Sequence, residues 1–189
     1  MELRKEKQRF TYADYCTWGD DIKCELIDGE IYLMSMPTVN HQRISRRLMR
    51  KFDEHLDNKR CEVFPPLDVR LNWEKGDDTV VQPDLLVVCD PEKIDDKGCN
   101  GAPDLVIEIL SPSTAGYDTL KKFAKYHAAG VRELWFVDPE TKTALAHIWS
   151  NNTHSFTLYN STDKITVGIL PELTIDLKDI FQIQEEENS

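Results

Sequence analysis

Apolar and polar positions along the chain change period several times, and these changes outline its elements. Near the start, Thr11-Tyr12-Ala13-Asp14-Tyr15 predicts a short capped helix, because the acid three residues after Thr11 can bond back to the cap. Cys24-Glu25-Leu26-Ile27 and Glu30-Ile31-Tyr32-Leu33-Met34 flank Asp28-Gly29. That dipeptide supplies the positive φ angles of a tight turn, so the stretch predicts a β-hairpin, ended by Met36-Pro37. From 41 to about 58, Ile44, Leu48, Phe52 and Leu56 recur every four positions. This is the stripe of a one-sided amphipathic helix, and Val39, just ahead, is expected to pack against it. The polar side carries Arg43, Arg46, Arg47, Arg50 and Lys51.

Strand segments follow over 61–71 and 79–88. Leu67, Val69 and Leu71 alternate with polar residues, whereas 85–88 (Leu-Leu-Val-Val) is apolar on both faces and suits a central strand. Asp90-Pro91 turns the chain, and 95–102 reads as a polar, Gly-containing loop. A second central strand, 105–110, carries one charge in its middle. Ser111-Pro112-Ser113-Thr114 breaks it ahead of a helix over about 117–129, capped by Gly130. A strand over 133–137 stops at Asp138-Pro139. Alternating runs at 144–149 and 155–159, separated by Ser150-Asn151-Asn152, predict a hairpin. The order implies an α/β protein, a mixed β-sheet flanked by helices with additional β-hairpins at the N- and C-terminal ends. No linker interrupts it, which predicts one domain over 1–189. Its parts are a core at about 41–139, an N-terminal hairpin extension at 10–37, a C-terminal β extension at 140–181 and an acidic tail at 182–189.

Composition narrows the function. The 189 residues hold 23 Lys plus Arg against 34 Asp plus Glu, a net charge of −11. A mean field of that sign excludes a protein coated for sequence-blind binding to nucleic acid or anionic lipid. No apolar run approaches the roughly 20 residues that span a bilayer, and no secretory signal follows the charged start, so the expected location is cytoplasmic. Cys16, Cys24, Cys61, Cys89 and Cys99 are odd in number and form no CxxC pair, which predicts reduced, mostly buried thiols. His55, His127, His147 and His154 show no metal-ligand spacing, and Trp73, Trp135 and Trp149 lie on strand-like segments that suggest core positions.

Two charges stand where apolar strands should not have them: Asp84, before 85–88, and Glu108, within 105–110. A carboxylate in a β-core is costly unless protonated, paired or metal-bound. Two on neighbouring strands, facing the same way, would make an oxygen-rich site for Mg2+ or Mn2+. The competing reading starts a strand at Asp84 and turns Glu108 to solvent. Lys122 lies on the helix that follows, four residues after Asp118 and four before Tyr126, a spacing that also describes an ordinary surface pair. Two basic clusters flank this region: Arg43, Arg46, Arg47, Arg50, Lys51, Lys59 and Arg60 in the first, and Lys121, Lys122, Lys125 and Arg132 in the second. They could offer phosphates a positive strip, or be solvated helix faces with ordinary salt bridging.

Pro83-Asp84, then Glu108-Ile109-Leu110-Ser111-Pro112-Ser113-Thr114, resembles the PD-(D/E)XK restriction-endonuclease-like superfamily. The block from Asp104 to Pro139, with Glu25-Leu26-Ile27-Asp28-Gly29-Glu30, Met36-Pro37…His41 and Lys122…Tyr126…Gly130-Val131, is similar to the Uma-two-type restriction endonuclease family over roughly 10–140. The resemblance implies a restriction-endonuclease-like sheet and a metal-dependent DNA endonuclease. Mg2+ or Mn2+ would be held by Asp84, Glu108 and the carbonyl of Ile109. One departure stands out: the signature Lys two positions after the acid is Leu110 here, and the resemblance transfers its role to Lys122. Glu25 is a candidate supporting acid or a hairpin surface residue, and His41 a supporting residue or a helix-start packing residue. DNA is the implied partner, through the basic helices at 43–60 and 121–132, with no membrane role and a homodimer as the form suited to duplex. The alternatives are a nuclease-fold binding module without turnover, and a nuclease for RNA or structured DNA.

Overall fold

The computed structural model describes residues 8–19, 22–111, 117–150 and 153–182. The chain forms α1 (Tyr12–Tyr15), β1 (Cys24–Ile27), β2 (Glu30–Leu33), α2 (Val39–Leu56), β3 (Glu62–Phe64), β4 (Val69–Arg70), β5 (Val80–Val81) and β6 (Leu85–Val88). Next come β7 (Ile94–Asp95), β8 (Gly98–Asn100), β9 (Leu105–Ile109), α3 (Tyr117–Ala129) and β10 (Glu133–Asp138). The chain closes with β11 (Thr143–Ser150), β12 (Thr153–Asn160), β13 (Lys164–Thr166), β14 (Thr174–Asp176) and α4 (Leu177–Phe181). The expected break at Pro112-Ser113-Thr114, the turn at Asn151-Asn152, the charged start at 1–7 and the tail at 183–189 lie outside the described residues, as does the side chain of Asp118.

Local chemistry accounts for the early elements. Thr11 and Asp14 form the expected capping box, with the Thr11 N–H donating to Asp14 Oδ2 at 2.8 Å. The β1–β2 turn takes φ of 53° at Asp28 and 72° at Gly29, the left-handed region this dipeptide tolerates. Helix α2 begins two residues earlier than its stripe implies, because Thr38 Oγ1 caps it by accepting from the His41 N–H at 3.2 Å. Ile44, Leu48, Phe52 and Leu56 are buried as the periodicity predicts. Val39 is 68% exposed, so it does not pack on the stripe.

Two six-stranded sheets form. The first runs β12-β11-β10-β9-β6-β3, and only β9 and β10 are parallel within it, joined by the α3 crossover. The second runs β2-β1-β5-β4-β8-β7, so the N-terminal hairpin is the end of a sheet rather than an appendage. The segments expected as continuous strands at 61–71 and 79–88 are each divided between the two sheets. The breaks fall at Pro65-Pro66 and at Pro83, which cannot donate to a ladder. The expected loop at 95–102 carries β8. Gly98 takes φ 136° there, because a Cβ would lie 2.1 Å from the Asp68 carbonyl oxygen.

Alternation on the first sheet sorts its side chains into two cores. Leu85, Val87, Leu105, Ile107, Trp135 and Val137 pack with the stripe of α2 and with α4. Leu86, Val88, Val106, Leu134 and Phe136 pack on the other face with Tyr126 of α3 and with Ile27, Val69 and Val81 of the second sheet. Trp135 is buried as expected, but Trp73 is 46% exposed on a surface turn and is not a core residue. The thiol expectation is also overturned. Antiparallel pairing of Glu62 with Val88 sets Cys61 opposite Cys89, and these two form a disulfide. Cys24 and Cys99 are buried free thiols, and Cys16 is exposed.

Candidate active site

The β6–β9 ladder pairs Leu85 with Ile107 and Leu86 with Val106, and continuing it by one residue sets Asp84 opposite Glu108. Both acids share the face of Leu86 and Val106, the face roofed by α3 and the second sheet. There they line a cavity of about 270 Å3 together with Glu25 from β1, His41 from α2, Lys122 from α3 and Phe136 from β10. Proline before Asp84 ends β5's sheet and frees the chain to enter β6 at this point.

Lys122 is 15% exposed and reaches two carboxylates at once, Glu25 Oε1 at 2.7 Å and Glu108 Oε1 at 3.1 Å. It makes no direct ion pair with Asp84 among the described residues. Glu25 is buried, not a hairpin surface group, and its Oε1 also accepts from the Gln82 N–H at 2.9 Å. The Tyr126 hydroxyl donates to Glu108 Oε1 at 2.5 Å. Glu108 Oε2 takes no hydrogen bond among the described residues. Asp84 is held differently: its Oδ2 accepts from the Ile109 N–H at 2.7 Å, and its Oδ1 lies 3.1 Å from His41 Nε2. The other ring nitrogen of His41, Nδ1, is buried without a partner.

These positions set the protonation states. Burial pushes the Glu108 carboxyl up to about 7, with Glu25 and Asp84 adding to the rise against the opposing pull of Lys122 and Tyr126. Burial works against the Lys122 ammonium, yet the charges and hydrogen bonds of Glu108 and Glu25 outweigh it and hold its pKa above the usual lysine value. Burial likewise opposes the His41 imidazolium. The hydrogen bond and charge of Asp84, the Ile109 carbonyl and Glu108 reverse that and raise its pKa. Burial, then the charge of Glu108, drives the Tyr126 hydroxyl far above the phenol range, so it acts as a donor only.

The chemistry open to this cluster follows from its charge. Glu25, Asp84 and a partly protonated Glu108 face the Lys122 ammonium and a His41 ring held toward its charged form. The cluster is therefore nearly neutral near pH 7 and becomes net negative, and attractive to a cation, as Glu108 and His41 lose their protons. The oxygens of Asp84 and Glu108 with the Ile109 carbonyl are hard donors. This set fits Mg2+ or Mn2+, which take one or two carboxylates and complete their shells with water and phosphate. His41 leans toward the same Asp84 oxygen and Ile109 carbonyl, so the imidazolium competes with such a cation. Among the described residues no group of three His, Cys, Asp or Glu side chains is arranged to hold a metal by itself.

The two basic clusters separate in space and character. On α3, Lys121 is engaged with the Tyr32 hydroxyl and ring, and Lys125 pairs with Asp28 at 2.5 Å. These lysines therefore tie α3 to the N-terminal hairpin rather than forming an open strip. On α2, Arg46, Arg47, Arg50 and Lys51 line a groove of about 370 Å3 beside α4. Arg50 and Lys51 are paired with Glu54 and Asp179, whereas Arg43 and Arg46 make no ion pair among the described residues. Burial and the like charges of Arg46 and Arg43 lower the pKa of Arg47, which donates to the Ile180 carbonyl at 2.7 Å.

Tyr126, Gln82 and Phe136 complete the site without having been singled out as site residues. Tyr126 alone left a signal, its spacing of four from Lys122. Gln82 acts through its backbone, and Phe136 reads as ordinary core until its pairing with Glu108 across β9–β10 brings it to the cavity.

Comparison with known proteins agrees with this geometry. A solved structure described as a putative nuclease belonging to DUF820, from Anabaena variabilis, superposes with a TM-score of 0.75 at 20% identity, covering 92% of this chain and 98% of that one. It establishes a shared fold, with mixed sheets flanked by helices. Two uncharacterized Synechocystis proteins, slr1290 and sll1609, are 38% identical over 115 residues and 32% identical over 106 residues. These matches take in 60% and 55% of this chain and 60% and 59% of the relatives' own lengths. Among the described residues no helix is long and apolar enough to cross a membrane. The family model described as "Uma2: Putative restriction endonuclease" matches residues 11–178, and the chain belongs to that family.

Proposed function

We propose that this protein is a divalent-metal-dependent endonuclease that hydrolyses phosphodiester bonds in DNA, with Asp84, Glu108 and Lys122 at its centre. The observation that carries the reading is Lys122, buried and bridging Glu25 and Glu108 beside Asp84 in one cavity. Restriction-endonuclease-like nucleases typically use divalent metals. Asp84, Glu108 and the Ile109 carbonyl would hold Mg2+ or Mn2+, which supplies an activated water and neutralises charge on the phosphate.

The chain's own groups do the rest. Lys122 presents a fixed positive charge to the developing charge on the phosphate. Glu25 holds the Lys122 ammonium at 2.7 Å, so it is a positioning residue. Without a metal the Glu108 carboxyl is pushed up to about 7, so holding the cation requires it to give up that proton, and metal binding should strengthen as pH rises through 7. Tyr126 and Lys122 both fix Oε1 of Glu108, at 2.5 and 3.1 Å. The open guanidinium groups of α2 support backbone contacts with the polyanion.

The reading also includes one functional unit over 1–189, action in the cytoplasm, where Cys61–Cys89 would exchange with the thiol pool, and a homodimer on duplex, checked by sedimentation. The deciding experiment incubates plasmid DNA with the protein in Mg2+ or Mn2+, beside Asp84→Ala, Glu108→Ala and Lys122→Ala. Cleavage by the parent and loss of at least two orders of magnitude in each variant is the expected result. Equal cleavage in all four refutes it.

A second reading, a binding module without turnover, is favoured by the pairing of His41 with Asp84 and the internal compensation of Lys122. It predicts no cleavage of DNA or RNA and no heat on titration with Mn2+.

A further inference from the structure

Histidines that no linear spacing connects meet on the C-terminal hairpin. Strands β11 and β12 pair with His147 opposite Phe156 and Trp149 opposite His154. Alternation turns all four side chains to one face, so His147 and His154 become diagonal neighbours. Nδ1 of His147 stands 3.1 Å from Nε2 of His154, and their ring planes differ by 17°. His147 is 9% exposed and His154 is exposed. Phe123, Trp149 and Phe156 surround the pair: Phe123 lies 4.8 Å from His147 and Trp149 lies 4.9 Å from His154, centroid to centroid.

We propose that His147 and His154 form a second metal site, separate from the carboxylate cavity, that takes a borderline transition-metal cation such as Zn2+, Ni2+ or Cu2+. Two imidazole nitrogens bound to one tetrahedral cation at about 2.0–2.1 Å lie roughly 3.3 Å apart, close to the separation already present. With ring centroids 5.3 Å apart the nitrogens face one another, so the rings must tilt, the exposed His154 most freely, for both lone pairs to converge on the cation. Imidazole donors select these metals over Mg2+ and Ca2+, which take oxygen ligands, and among the described residues no third His, Cys, Asp or Glu side chain joins the pair as a ligand. The proton that now bridges the two nitrogens moves to the remote nitrogen of its own ring, so both rings stay neutral and no net proton is released. Water fills the remaining coordination positions, as in an open site. The surrounding rings restrict both imidazoles, and a cation there would clasp β12, the outermost strand of the sheet, to β11.

The inference does not rest on nuclease activity. The test is calorimetric titration of ZnCl2 into the full, tag-free chain with excess MgCl2 present. The expected result is one equivalent of Zn2+ bound. His154→Ala and His147→Ala should weaken binding by on the order of tenfold or more. His127→Ala, which removes a ring stacked on Trp149 at 5.1 Å but no proposed ligand, should bind as the parent does. His154 is on the surface, so its variant reports even if replacement of His147 disturbs folding. Unchanged affinity in His154→Ala, no binding up to millimolar Zn2+, or loss of binding in Asp84→Asn with the histidine pair intact would each overturn the proposal.

Discussion

Glu108 makes the folded state sensitive to pH in a way that can be isolated. In the native protein its carboxyl is pushed up to about 7, chiefly by burial. In the unfolded chain it titrates near about 4.3. Between those values the folded protein keeps a proton that the unfolded chain has lost. Its contribution to stability is therefore complete below about pH 4 and declines as pH rises through 7. Each pH unit in that window is worth about 1.4 kcal/mol, so raising the pH from 5 to 8 should remove about 2–3 kcal/mol through this group alone. Urea unfolding at both pH values, in EDTA, measures the total change. Glu108→Gln keeps the shape and an oxygen for Lys122 and Tyr126 but cannot ionise, so its loss over the same interval should be smaller by about 2–3 kcal/mol. His41, whose raised pKa weakens stability in the same direction as pH rises, is present in both proteins and largely cancels in the comparison. A variant whose pH dependence matches that of the parent would refute the assignment of a raised Glu108 carboxyl.

Lys122→Met should cost about 3–5 kcal/mol at pH 8, because it leaves Glu25 and Glu108 facing one another without their cation. The cost should shrink at pH 5, where Glu108 is protonated, and denaturant midpoints at the two pH values check both parts. Glu133 is fully buried and accepts from Trp135 Nε1 at 2.7 Å and from the Ile169 N–H at 2.9 Å, joining β10 to the loop before β14. Glu133→Ala should therefore lose about 2 kcal/mol or more, read as a lower Tm, with a smaller loss in Glu133→Gln. Thiol titration in denaturant should find three free cysteines per chain before reduction and five after it. In the native protein Cys16 should react first. Replacing both Cys61 and Cys89 with Ser should cost about 3–4 kcal/mol, given their separation of 28 residues.

Periodicity and turn chemistry along the chain were sufficient for the elements whose causes are local. Thr11 and Asp14 cap α1, Asp28-Gly29 turns the first hairpin, and the stripe from Ile44 to Leu56 becomes the buried side of α2. A charge at the start of one apolar strand and another inside a second were enough to single out Asp84 and Glu108, because a core strand does not ordinarily carry one. What remained hidden depends on which strand lies beside which. The strands at 61–71 and 79–88 look continuous in sequence, yet prolines hand each from one sheet to the other. Only the pairing of β3 with β6 brings Cys61 to Cys89, and only the β11–β12 register brings His147 to His154. Lys122 was visible as a residue but not as a buried bridge, since its partners come from β1 and β9, 97 and 14 residues away in the chain. Helix and turn preferences are settled by neighbours a few residues apart, and so they can be read along the chain. Burial, carboxylate pKa and cross-strand contacts are settled by groups that only the folded sheets bring together.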